Sequence, residues 1–230
     1  MSTHPLDNPV WSALTGPQAD IVERAGSAVR YPADVSPFAA LPADADDAAW
    51  AALADLVGPT TIVLTGPVHR PPAGWRVLES IPGVQLDGSA VAGAPDPEAV
   101  VLTEADVPEM LDLVRRTRPG PFEKRTHTLG TYYGIRRGGA LVAMAGERMR
   151  PGGWAEISAV CTDPAHRGQG LAGRLTLAVA ATIRARGELP FLHTGAANAP
   201  AIRLYESLGF RLRRETAFTA VRLDRSYPAR

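Results

Sequence analysis

Val160-Cys-Thr-Asp-Pro-Ala-His-Arg-Gly-Gln-Gly-Leu-Ala172 is the stretch on which the fold turns. Before it, Trp154–Thr162 reads as a strand, and Asp163-Pro164 turns the chain. After it, Leu171, Leu175, Val179 and Ile183 recur every four residues, which predicts a helix over about 169–186 with one core-facing stripe. A strand therefore runs through a basic, glycine-rich loop into a long helix. The first-turn N–H groups of such a helix lack intrahelical acceptors, and with the helix dipole they favour an anion. Gly168 and Gly170 remove side chains that would keep a ligand from the backbone, and Arg167 adds a permanent charge. The stretch predicts a phosphate cradle. A solvated, glycine-rich turn is the competing reading, and the loop alone does not decide between them. It is not a P-loop, which needs a Lys and a Ser/Thr after its second glycine.

Working outward, a strand at Leu189–Thr194, a helix at Ala199–Ser207 and strands at Phe210–Arg213 and Ala217–Leu223 follow. The last is expected near a sheet edge that could pair in a homodimer. Upstream, Ala99–Leu102 reads as a strand. Thr103-Glu-Ala-Asp106 resembles a capping box opening a helix to about Arg116. Strands at Thr131–Arg137 and Ala140–Arg148 flank the hairpin turn Gly138-Gly139, and Pro151-Gly-Gly153 makes the next turn. The order β-α-β-β-β-α-β-α-β-β argues for an α/β domain with a mixed sheet. Asp87–Pro97 is small, polar and Pro-rich, and reads as a linker. Before it we expect helices at about 18–30 and 46–57, an irregular loop over 31–45, and short strands at 60–64, 75–81 and 84–86. The chain is thus divided into domains 1–94 and 95–230.

The chain has 230 residues with 24 basic and 24 acidic side chains, enough for one large domain or two small ones. A formal charge of zero gives no electrostatic case for a nucleic-acid or membrane partner. Lys124 is the only lysine, so almost every cation is a fork-shaped arginine donor. The single Cys161 suits a reducing compartment, no apolar run approaches the roughly 20 residues of a bilayer span, and the N-terminus lacks signal-peptide character, so a cytoplasmic location is expected. With no dense His/Asp/Cys spacing, no metal is expected.

Arg167-x-x-Gly170-x-Ala172 resembles the R/Q-x-x-G-x-G/A motif of the GNAT superfamily of acyl-CoA-dependent N-acetyltransferases. Asn198-x-x-Ala201-x-x-x-Tyr205-x-x-x-Gly209-Phe210 resembles the second half of the same signature. The resemblance extends over about residues 99–225. Glu156–Thr162 and Ala143–Glu147 look most like the subgroup related to the C-terminal half of glycine N-acyltransferases, whose N-terminal half is a degenerate copy of the same fold. The resemblance implies a mixed central sheet flanked by helices behind a smaller mixed α/β N-terminal domain packing on the acceptor side. It implies acetyl-CoA as cosubstrate. Val160, Cys161 and Thr162 would bind the pantetheine arm and polarise the thioester. Arg167, Gly168, Gln169, Gly170, Leu171 and Ala172 would hold the pyrophosphate. Asn198 would bond the pantetheine region, and Tyr205 would face the sulfur.

For the chemistry, Tyr205 is the expected acid for the departing thiolate; the alternative is a core tyrosine beside Leu204 and Leu208. Glu156 is the expected base or substrate anchor, with Glu147 or water in its place as alternatives. Glu156 is two residues from Ser158 and four from Val160, so it is expected to share their face of the strand. Cys161 reads as a small buried hydrophobe, not a nucleophile. His127 and His193 line the acceptor site or cap strand ends, and neither is assigned. Arg115, Arg116, Arg118, Arg125, Arg136 and Arg137 could bind an acidic acceptor, but a solvated face is favoured. The expected reaction is direct transfer of an acetyl group to a primary amine of a small molecule or amino acid by a monomer or homodimer. A protein N-terminal or lysine acetyltransferase and a non-catalytic acyl-CoA sensor are the alternatives.

Overall fold

The computed structural model describes residues 4–66 and 71–224; the ends of the two expected domains, 1–3 and 225–230, lie outside the described residues. After a short helix α1 (Pro9–Leu14), strands β1 (Glu23–Ala25), β2 (Ala28–Arg30) and β3 (Ala39–Ala40) form a small antiparallel sheet. Helix α2 (Asp47–Val57) leads to β4 (Ile62–Gly66) and the long β5 (Trp75–Asp87). Then come β6 (Val100–Leu102), α3 (Val107–Thr117), β7 (Tyr132–Arg137), β8 (Ala140–Glu147), β9 (Trp154–Thr162), α4 (Leu171–Ala185), β10 (Leu189–Gly195), α5 (Ala199–Ser207) and β11 (Arg211–Leu223).

Eight strands make one mixed sheet in the order β4-β11-β5-β10-β9-β8-β7-β6. Only β9 and β10 are parallel neighbours. Helix α4 packs on β7–β10 through Leu171, Leu175, Val179 and Ile183, the predicted stripe. Helix α3 packs on β8 and β9, with Met110 and Leu113 fully buried. Its start carries the Thr103/Asp106 capping box. Over β9–β10 lies the N-terminal segment, where Leu6, Val10, Tyr31 and Phe38 meet Trp154 and Phe191. Helix α2 covers β4 and β11 through Trp50, Leu53, Ile62 and Val221.

Five expectations change. The helix expected over 18–30 is the β1–β2 hairpin, turned at Gly26 with φ 50°. Its Ile21, Val22, Ala25 and Val29 fall at helical spacing by coincidence, and long-range packing overrides so short a pattern. The two strands expected at 75–81 and 84–86 are one, since β5 runs through Pro82 and Gly83. Up to Ile81 β5 is paired with β11 alone; the Pro82 carbonyl accepts from the Ala196 amide at 2.9 Å and β10 joins that edge from Gly83, so the proline stands at the end of the one-sided stretch, where it is tolerated. The strands expected at 210–213 and 217–223 are likewise one, kept continuous by a bulge at Arg213. That strand is not a sheet edge, because β4 and β5 flank β11.

The expected linker is packed. Val91 is buried, the Ala94 amide donates to the Leu177 carbonyl at 3.0 Å, and Gly93 lies so close to α4 that a Cβ would stand 2.2 Å from the Ala181 nitrogen. Small residues that look flexible in sequence are what let this backbone lie on a helix. The boundary expected between residues 94 and 95 falls in this crossing. The strands on either side of it, β4 and β5 against β6–β11, share one sheet. No helix of the described residues is long and apolar enough to cross a membrane.

Candidate active site

Strands β9 and β10 pair from Trp154↔Leu189 to Ile157↔Leu192 and then part, although β9 continues to Thr162 and β10 to Gly195. The cause is local. Against β8, Met144 stands opposite Cys161 and Gly146 opposite Ser158, so β9 holds one extra residue. Ala159 sits there with φ 54°, in the left-handed region, at a cost of about 1–3 kcal/mol that the surrounding pairing must hold. Residues 158–162 are left without a strand partner on the β10 side. The bulge also reverses the alternation of side chains. Val160 packs with Ala155 and Ile157 in the α4 core, whereas Ala159 and Cys161 join the α3 core. The expectation that Glu156 shares a face with Val160 is corrected by that one residue.

A cavity of about 810 Å³ occupies the opening. One side is built from Ser158–Thr162, from His166–Gly168 and Gly170–Gly173, and from Asn198 and Tyr205. Gly168 and Gly170 have φ 77° and 71°, and nothing lies within 4 Å of where a Cβ would stand. Glycine is needed there for conformation, and its use leaves the amides open. Gly170 is the N-cap of α4 and offers no side chain to the first-turn N–H groups, so these remain available to an anion. Arg167 reaches back to the Thr162 carbonyl at 3.4 Å. The buried Thr162 Oγ1 and His166 Nδ1 have no hydrogen-bond partner among the described residues. Orphaned polar atoms and an open helix start fit a polar, anionic ligand. Gln169 is exposed and not part of the lining, and Leu171 is mainly a core residue at 2% exposure.

Tyr205 lines the cavity from α5, edge-on to Phe210 at 6.0 Å. Burial, helped by the neighbouring Cys161, raises its phenol to about 12, so it stays protonated at neutral pH. Asn198 spends its Oδ1 capping the Ala201 amide, which leaves its Nδ2 as the free donor. Burial pushes the Cys161 thiol up to about 11, so the thiolate needed for nucleophilic attack is disfavoured.

Glu156 is fully buried. Its carboxylate takes two bonds from Arg148, at 2.7 and 2.8 Å, and one from His193 Nδ1 at 2.7 Å. Burial would raise its pKa, but Arg148 and His193 outweigh that and hold the carboxyl near 2. Such a carboxylate is a weak proton acceptor, so the base role expected of Glu156 is not supported by its surroundings. It orders its neighbours instead. On its other side His193 meets Gln85, whose Nε2 donates to the Leu6 carbonyl and lies 3.0 Å from His193 Nε2 while its Oε1 accepts from Arg213. His193 is thus held between Glu156 and Gln85, one ring nitrogen on each. Glu147 is also buried, held by the Thr131 amide and by Arg186 at the far end of α4, outside the cavity lining.

Neither Arg148 nor His193 was assigned a role from sequence. Their partner Glu156 lies 8 and 37 residues away, and a pairing at that distance leaves no local pattern. None of the residues on the second side of the cavity was singled out from sequence. That side comes from Phe38, Val63, Glu79 and Ile81 of the N-terminal half, with Phe218 and Ala220 of β11. Of the arginines weighed for an acidic acceptor, Arg115, Arg116, Arg125, Arg136 and Arg137 pair with acids at the surface, and Arg118 lines the cavity from the loop after α3.

Residues 132–219 match the family described as FR47-like protein. A crystal structure of an acetyltransferase of the GNAT family from Novosphingobium aromaticivorans DSM 12444 superposes with a TM-score of 0.90. It is 45% identical and covers 96% of this chain and 100% of that one. A GCN5-related N-acetyltransferase from Kribbella flavida is similar in fold, with a TM-score of 0.63 and 19% identity over 93% of this chain and 94% of that one. A mycothiol acetyltransferase from Thermobispora bispora is 50% identical over 56 residues, which span 24% of this chain and 19% of that protein.

Proposed function

Because the chain belongs to the GNAT family of acetyltransferases, we propose that it moves the acetyl group of acetyl-CoA to a primary amine of a small molecule or amino acid. One observation carries this reading: the bulge at Ala159 opens β9 from β10 beside the bare N-terminus of α4, and Tyr205 stands in the same cavity. Acetyl-CoA supplies an activated acyl group, and the rest is done by this chain. The open N–H groups at Gly170–Gly173, with Arg167, hold the pyrophosphate. The backbone N–H groups of Val160–Thr162 that face the β10 side, where no strand pairs with them, accept the pantetheine arm and hydrogen-bond the thioester oxygen, where negative charge develops as the amine attacks. Asn198 Nδ2 donates to the same arm. Tyr205 gives its proton to the sulfur as the C–S bond breaks and the C–N bond forms.

The amine reaches the thioester from the side walled by Phe38, Val63, Ile81 and Phe218. Glu156 stays ionised and holds Arg148 and His193 in place; the proton of the acceptor leaves to water. Glu156–Thr162 and Ala143–Glu147 support placement near the glycine N-acyltransferase-like subgroup. The acceptor of the mycothiol acetyltransferase is not carried over, since only 19% of that protein is matched.

The test is a thermal-unfolding titration of the full chain with acetyl-CoA and CoA, followed by CoA release with an amine panel. A ligand at 100 times its Kd stabilises the native state by about 2.7 kcal/mol. Stabilisation by acetyl-CoA and amine-dependent CoA release are expected. A folded sample showing neither ends this reading.

A further inference from the structure

The acceptor side of the cavity has a definite chemical character. Register places Val63, Ala220 and Glu79 in one row across β4, β11 and β5, and Thr65, Phe218 and Ile81 in the next. Phe38 closes this wall, its ring 6.3 Å from that of Phe218. Ile81 is 45% exposed, an apolar side chain facing the cavity. An amine that fits such a wall carries an apolar body.

The charges on this side do not cancel. Arg148 lies 4.7 Å over the Phe38 ring, but its charge is matched by Glu156 through two hydrogen bonds. His193 turns its Nδ1 to the same carboxylate, at 2.7 Å. Glu79 remains, with no ion pair or hydrogen bond among the described residues. The other charged lining groups, Arg118, His166 and Arg167, stand on the loop after α3 and on the cradle before α4. An unpaired carboxylate at the edge of an apolar wall prefers a cation.

We propose that the acceptor is a cationic amine with an aromatic or aliphatic body, its ammonium bound by Glu79 and its body packed against Phe38, Val63, Ile81, Phe218 and Ala220. The proposal rests on the acetyltransferase reading above and adds the acceptor class and a specificity-determining residue supplied by β5, outside the segment that carries the family motifs. Anionic amines are disfavoured by the same carboxylate, and neutral arylamines of equal size gain only the apolar part.

The test uses the full chain loaded with CoA and measures the Kd of phenethylamine by calorimetry, for wild type, Glu79→Gln and Glu79→Arg. Acetyl-CoA thermal shifts on the same samples report folding and the cofactor side separately. Losing a charge-assisted bond of the usual strength weakens binding by about 10- to 100-fold. That loss is expected for Glu79→Gln, a larger one for Glu79→Arg, and an unchanged acetyl-CoA shift for both. Equal phenethylamine affinity in wild type and Glu79→Gln overturns the proposal, as does wild-type protein that binds phenylalanine or a short peptide N-terminus more tightly than phenethylamine, or that binds no phenethylamine at all. Loss of the acetyl-CoA shift in wild type overturns the parent reading instead.

Discussion

Glu156 and Tyr205 show how burial gives similar groups opposite fates. Burial raises the pKa of both, but Glu156 meets Arg148 and His193 and ends near 2, while Tyr205 meets no cation and ends near 12. For Glu156→Gln, Arg148 is left buried without its counter-charge, and a loss of about 3–5 kcal/mol is expected in denaturant unfolding. The pH dependence follows from the same pair. The carboxyl titrates near 4.5 when unfolded and near 2 when folded, so the unfolded state binds the proton first as pH falls. The stabilisation is complete above about pH 5 and is lost on the way to pH 2. Unfolding measured across that window is expected to be steep in wild type and flatter in the Gln variant. For Tyr205→Phe, kcat is expected to fall by about 10²- to 10⁴-fold with acetyl-CoA affinity kept, measured by CoA release and thermal shift. At this scale Tyr205, Asn198 and Arg167 were singled out from sequence because their spacing repeats a family pattern, and the structure places all three on the cavity. Arg148, His193 and Glu79 also line it but were given no role from sequence, because what brings them there is pairing with residues distant in the chain.

Among the elements, the loop into α4 was the most readable. A strand, a turn, two glycines and a helical stripe sit within one local stretch, and local geometry follows from local sequence. Gly170→Glu places a carboxylate at a helix start with φ 71°, where it repels a pyrophosphate and strains the backbone. The acetyl-CoA thermal shift is expected to vanish in this variant. Gly170→Ala is expected to cost about 1–2 kcal/mol of stability through its left-handed backbone while keeping a measurable shift. Elements without such local closure were harder to read. Pro82 and Gly83 look like a strand end and are the interior of β5, because strand length there is decided by β11 alongside it. The Ala159 bulge carries no sequence mark, since alanine has no preference for positive φ.

At the scale of the molecule, β5 lies between β10 and β11, and those two strands are not paired with each other. The region 95–230 therefore holds the family motifs but not a complete sheet. Deleting residues 1–94 removes β4 and β5, uncovers Trp154 and Phe191, and strips Gln85 from His193. Such a fragment is expected to be insoluble or unfolded, with no cooperative transition by circular dichroism and no acetyl-CoA shift. A stable, CoA-binding fragment would show instead that the N-terminal half is an accessory cover.

Composition, periodicity and two spaced motifs determined, without coordinates, that the chain forms a mixed sheet with a glycine-rich cradle and a tyrosine beyond it. These are local properties: a helical stripe, a capping box and a turn each close within a few residues. The tertiary structure alone decided which strands complete the sheet, that the supposed linker is packed, and that Glu156 is locked by Arg148 and His193. It also decided that Phe38, Val63, Glu79 and Ile81 line the cavity. Each of these depends on pairings between residues tens to more than a hundred positions apart, which are set by the burial and hydrogen-bond balance of the whole fold and leave no trace in any short window of sequence.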